Sequence, residues 1–146
     1  MTESEGAAAW AALLRVHAAV VPALERRLAD AGLPLPWYDV LLELNSAPDR
    51  RLTMSELGNR AVLSRERVSR VVTELERAGL ASREPNPDDG RSSFAAITPR
   101  GRTRLRAAAP AYLSGIEALF GTHLREGEAP ALARALERVL AAQVAD

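Results

Sequence analysis

Residues 64 to 78 read SRERVSRVVTELERA. At about 100° per residue, Val68, Val71, Val72 and Leu75 form one apolar stripe. The opposite side carries Glu66, Ser69, Arg70, Thr73 and Arg77, with Arg65 and Arg67 on the flanks near the start. A guanidinium can take the O6 and N7 edge of guanine with two hydrogen bonds, worth about 1–3 kcal/mol of discrimination. Ser and Thr are short donors suited to phosphate or base edges. The plain alternative is a surface helix solvated by its Arg and Glu, since Arg70 pairs at helical spacing with Glu66 and Glu74. A second group lies in REPNPDDGRSS, residues 83 to 93. Its two prolines and Asp-Asp-Gly run break any helix and mark an exposed turn. Arg91 sits there with Asp89 two residues before it. An arginine on such a tip suits the minor groove of duplex DNA, where narrow A·T tracts concentrate negative potential. A nearby acid restricts its rotamers.

Other chemistries find no support. Cysteine is absent, which excludes disulfides, thiol catalysis, thiol peroxide sensing and Cys-ligated zinc. The only two histidines, His17 and His123, are far apart in sequence, so no metal site is expected. No nucleophile–base pair or phosphate-binding glycine loop appears, so neither a catalytic residue nor a cofactor is assigned. The net charge of zero conceals a pattern. Residues 1–49 are net −4, residues 50–106 net +6 and residues 107–146 net −2, and all 19 basic residues are Arg. A basic centre between acidic flanks fits one surface for an anionic partner.

The elements that position these groups follow from periodicity. Residues 7–31 read as a long helix closed by Gly32 and kinked at Pro22. A second helix spans 36–46, and 47–51 reads as a loop. Thr53 and Glu56 stand in capping-box spacing at the start of a short third helix. After the turn VLS, Ser64 caps the fourth helix, 65–78, which Gly79 ends. A short helix, a tight turn and a second helix form a helix-turn-helix, whose second helix enters the major groove. Two extended segments, 80–84 and 93–98, flank the proline-rich turn and make a hairpin. The pair and the hairpin together form a winged helix. Thr98 and Pro99 open a fifth helix, expected to reach about 123 with a kink at Pro110, and a sixth spans 128–144. No unbroken apolar run reaches about 18 residues, and the N-terminus is acidic, so a cytoplasmic protein without a membrane span is expected.

The run LTMSELGNRAVLSRERVSRVVTELERAGLASREPNPDDGRSSFAAITPRGRTRL resembles the MarR family of bacterial transcription regulators. The LT-SEL start, the LSR and LE-AGL segments of the fourth helix, the wing pair Asp89 and Arg91, and the exit Ile97, Thr98 and Gly101 match in order and spacing. The flanking helices also match, so the resemblance covers nearly the whole chain. It implies a mainly α fold with a small β-hairpin wing, a winged helix-turn-helix flanked by N- and C-terminal dimerisation helices. The implied division is 1–35 for the N-terminal dimerisation helix, 36–100 for the DNA-binding lobe and 101–146 for the C-terminal dimerisation helices. It implies a homodimeric repressor on a pseudo-palindromic double-stranded operator. Ser64, Arg65, Arg67, Ser69, Arg70 and Thr73 fall on the major-groove positions, Arg91 on the wing arginine and Asp89 on its acidic support. A small aromatic or anionic effector is implied as well, with His17, Trp37 and Tyr38 as pocket candidates. Glu66 and Arg67 replace small residues often found there, and Ala61-Val62 replaces a common Leu-Gly before the turn. The alternative reading is a winged-helix protein-interaction or accessory dimerisation module without its own operator, which would lack the steep salt dependence of a DNA binder.

Overall fold

The computed structural model describes residues 3–144. The elements run α1 (Glu3–Asp30), α2 (Leu35–Ser46), β1 (Arg51–Thr53), α3 (Met54–Arg60), α4 (Arg65–Arg77), β2 (Ala81–Pro85), β3 (Ser93–Ile97), α5 (Pro99–Leu119) and α6 (Glu128–Val144). The chain is mainly α, with one three-stranded antiparallel sheet in the order β1-β3-β2. Ala81 pairs with Ile97 at the base of the hairpin and Pro85 with Ser93 near its tip.

Local chemistry accounts for most boundaries. The Thr53 hydroxyl accepts the Glu56 N–H at 3.1 Å and opens α3. The Ser64 hydroxyl accepts the Arg67 N–H at 3.2 Å and opens α4. After α4, Gly79 takes φ 78° and the Leu80 N–H reaches back to the Leu75 carbonyl, closing the helix in a left-handed cap. Two stretches depart from expectation. The segment 47–51, expected as a loop, contains a 3-10 turn at Pro48–Arg50 with Asp49 and Arg50 both left-handed, at φ 56° and 54°. The fifth helix stops at Leu119 rather than near 123. A separate 3-10 turn, Gly121–His123, follows, because Gly121 and Thr122 are poor helix formers.

Two compact units divide the chain: Glu25–Tyr112, and the pair of segments 1–24 and 113–146. Their limits fall inside α1 and α5. The end of α1 and the start of α5 belong with the winged helix because Leu28, Leu105 and Ala108 are buried there. The core of this unit also holds Leu33, Val40, Leu41, Leu44, Leu52, Leu57, Val68, Val72, Leu75 and Leu80. No polar or charged residue is buried among the described residues. In the other unit, Trp10, Leu13, Leu14, Leu113, Leu132, Val139 and Leu140 are exposed, Trp10 to 60% and Leu140 to 65%. By length and composition Ser4–Asp30 is long and apolar enough to cross a membrane, with a mean hydropathy of 1.6 over its apolar stretch. Arg15 and His17 interrupt that stretch, which is why no unbroken run is visible in the sequence.

Candidate nucleic-acid interface

Helix α4 buries Val68, Val71, Val72 and Leu75 and turns Arg65, Glu66, Arg67, Ser69 and Arg70 to solvent, with Thr73 half-buried. The apolar stripe sets this orientation, because rolling the helix would expose three valines and a leucine. Three exposed guanidiniums thus lie within the first two turns, beside free N–H groups and the positive end of the helix. They are not equally held. The Arg65 Nη2 donates to Asn59 Oδ1 at 3.3 Å, which ties it to α3. Arg67 and Arg70 enter neither of the two ion pairs found among the described residues. The Thr73 hydroxyl donates to the Ser69 carbonyl at 3.1 Å. This occupies its proton and leaves its lone pairs to accept.

Arg83, on β2, is a residue the sequence reasoning missed. Its Nη2 donates to the Ser69 carbonyl at 3.2 Å and lies 3.5 Å from the Ser69 hydroxyl. Its Nη1 lies 3.6 Å from Glu76 Oε1. Arg83 therefore braces the base of the wing against α4 and leaves the Ser69 hydroxyl proton free. The only signal for this was an arginine at an outward strand position, and its target depends on a register that the sequence does not show. The second ion pair, Arg51 to Glu84 at 3.3 Å, joins β1 to β2, and the Arg51 guanidinium lies 4.2 Å from the centre of the Phe94 ring on β3. One side chain thus spans all three strands.

Two side-chain turns shape the wing tip. Asn86 Oδ1 accepts the Asp88 N–H at 3.0 Å, and Asp89 Oδ1 accepts the Arg91 N–H at 3.0 Å. Asn86 Nδ2 donates to the Ser92 hydroxyl at 2.9 Å across the turn. Asp89 thus supports Arg91 through its main chain, and the Arg91 side chain is exposed. Gly90 is not left-handed and stands in open space, so the turn makes no demand for glycine there.

The three effector candidates have different settings. His17 is exposed on α1. Trp37 donates its indole N–H to Glu74 Oε2 at 3.0 Å, linking α2 to the outer side of α4. Tyr38 is buried and stacks on Tyr112, with ring centroids 4.2 Å apart. Next to it, burial pushes the Asp39 carboxyl up from 3.8 to about 6, with repulsion from Glu43 and Glu25 adding to the rise. The folded chain therefore holds a proton on Asp39 more tightly than the unfolded chain does. The stability this contributes is full below about pH 4 and is lost as pH rises through about 6. Asp39→Asn is expected to raise stability at pH 7.5 by about 1–2 kcal/mol after allowance for partial solvent screening, and by almost nothing at pH 4. Urea unfolding at the two pH values checks this; equal gains at both would contradict it.

The comparisons with known proteins agree with this geometry. The MarR family model matches residues 31–92. The HTH-type transcriptional repressor Rv2887 of Mycobacterium tuberculosis is 33% identical over 96 residues, covering 66% of this chain and 68% of its own length. Among solved structures, Sco3205 of Streptomyces coelicolor, a MarR family transcriptional regulator in complex with DNA, superposes with a TM-score of 0.82 at 31% identity, over 96% of this chain and 88% of its own. AbsC from the same organism, also a MarR family transcriptional regulator, gives a TM-score of 0.83 at 28% identity over 100% and 98% of the two chains. With this identity, coverage and winged-helix geometry, the chain belongs to the MarR family of transcriptional regulators.

Proposed function

We propose that the chain is a homodimeric, cytoplasmic transcriptional repressor that lays α4 in the major groove and its wing in the minor groove of a pseudo-palindromic operator. The carrying observation is the exposed Arg65–Arg67–Arg70 face on a helix capped by Ser64, braced by Arg83 to a wing that exposes Arg91. The relatives named as repressors, and the DNA complex of Sco3205, support the same reading. In this reading Arg67 and Arg70 read base edges, while Arg65, Ser64, Ser69 and Thr73 divide between phosphate and base contacts. Arg91 docks in the minor groove with its main chain held by Asp89. Residues 25–112 carry these contacts. The exposed apolar side chains of 1–24 and 113–146 supply the two-fold interface, since so many large apolar groups favour burial against a second copy.

An effector would act by favouring a dimer whose half-site spacing no longer fits the duplex. Among the pocket candidates Trp37 is best placed for coupling, because its N–H holds Glu74 on α4. Tyr38 already spends its ring on Tyr112, and His17 is the solvent-facing member. The family and its relatives are regulators rather than enzymes.

Selection from random duplex DNA, followed by mass determination of the free protein and of its complex, tests the proposal. A two-fold-related consensus, a dimer in solution and a steep loss of affinity with salt are expected. Failure to retain any duplex at low salt would leave the protein-interaction reading instead. Within the same assay, Arg83→Ala is expected to weaken operator binding about threefold to tenfold while the helical content stays unchanged, as fits the loss of one charge-assisted brace. Unaltered affinity would show that the wing and α4 hold their relation without it.

A further inference from the structure

Asn45, Arg50, Arg102 and Arg106, none of them on α4 or the wing, line a cavity of about 290 Å³. We propose that this cavity is a binding site for a small doubly charged oxyanion, a phosphate ester or a dicarboxylate. Three guanidiniums line it and no carboxylate does. None of the three enters either ion pair found among the described residues, so their charge is not neutralised by the protein. Arg102 and Arg106 stand four residues apart on α5, a like-charge spacing that destabilises a helix unless an anion bridges it. Arg50 reaches the cavity from a backbone in which it and Asp49 are both left-handed without being glycine. Such conformations carry a conformational cost and cluster where a ligand is held. Asn45, in the last turn of α2, adds an amide that can donate alongside the guanidiniums.

The shape favours a small ligand over a duplex. A phosphate backbone is convex and favours an open basic face such as that of α4. A concave space of about 290 Å³ lies at the lower end of small-molecule sites. Guanidinium forks match carboxylate and phosphate oxygens alike, so the chemistry specifies the oxyanion and leaves its source to experiment.

The test titrates the full chain with inorganic phosphate and, separately, with succinate, each against sodium chloride at matched ionic strength. Saturable binding of one of the two is expected by calorimetry, with a rise in thermal midpoint of roughly 5–10 °C at a hundredfold excess over Kd. Binding of phosphate identifies the phosphate class, and binding of succinate the carboxylate class. Arg102→Gln and Arg106→Gln should each weaken that binding at least about tenfold, while Arg134→Gln, on exposed α6, leaves it unchanged. Circular dichroism confirms that each variant is folded. The proposal is overturned if neither anion exceeds chloride, or if binding survives in the R50Q/R102Q/R106Q variant. It is also overturned if that variant loses only duplex affinity and the parent binds neither anion. None of these outcomes depends on which operator the α4 face selects.

Discussion

Arg70→Ala is expected to weaken binding to the selected operator by roughly tenfold to a hundredfold, and to relax the base preference at one position of each half-site. The expectation rests on where the side chain stands. Arg70 is exposed, one turn along from Arg67 and opposite the buried Val68 and Val72. Neither ion pair among the described residues claims its guanidinium. Arg91→Ala should behave differently. Its loss should weaken binding to all duplexes about equally and reduce the slope of log affinity against log salt by about one unit. A wing arginine in a narrow groove contributes mostly charge. Fluorescence anisotropy on the selected operator and on scrambled DNA, at several salt concentrations, separates the two patterns. Full binding by the R70A/R91A double variant would remove the interface from this face of the protein.

Gly101 is the position where a single methyl group should do most harm to the fold. It lies in the first turn of α5, where alanine would ordinarily gain about 1 kcal/mol over glycine. Space decides against that gain. A β-carbon there would collide with the Leu80 carbonyl oxygen and crowd the Ile97 side chain. That carbonyl cannot move away cheaply, because it accepts the Thr98 N–H at 3.1 Å. The Thr98 hydroxyl in turn donates to the Gly79 carbonyl at 2.7 Å and accepts the Gly101 N–H at 3.0 Å. Gly101→Ala is therefore expected to destabilise by about 1–3 kcal/mol despite its helix propensity, and Gly101→Val by more. Gly90→Ala is the matched control, expected within about 0.5 kcal/mol of the parent since nothing surrounds it. Denaturant unfolding of the three variants gives the answer. A stabilised Gly101→Ala would mean that propensity outweighs the clash.

The parts of the fold governed by short-range rules were readable in advance. The Val68–Leu75 stripe, the Thr53 and Ser64 caps and the Gly79 stop each follow from spacing within one or two turns. The hairpin was readable from its prolines. What escaped depends on groups distant in sequence or on backbone states that residue types do not advertise. Arg83 meets Ser69 only after β2 is placed against α4. The left-handed Asp49 and Arg50 carry no glycine to announce them. Asp89 was expected to position Arg91, but its carboxylate serves the main-chain N–H, and sequence spacing does not separate that from a contact with the side chain. Arg50, Arg102 and Arg106 converge on one cavity from two elements far apart in the chain.

The places where α1 and α5 pass from one compact unit to the other have a mechanical side. Pro22 precedes the limit at Leu24, and Pro110 precedes the limit at Tyr112, by two residues each. A proline has no N–H to donate, so the Ala18 and Arg106 carbonyls each lose the bond that the next turn would normally provide. Both helical links between the units are thus softened close to the seam, and on both passes of the chain. Bending there breaks no further helical hydrogen bond at the proline, whereas bending a few residues to either side would. The same softening places the freed carbonyl of α5 on Arg106, a residue of the arginine-lined cavity.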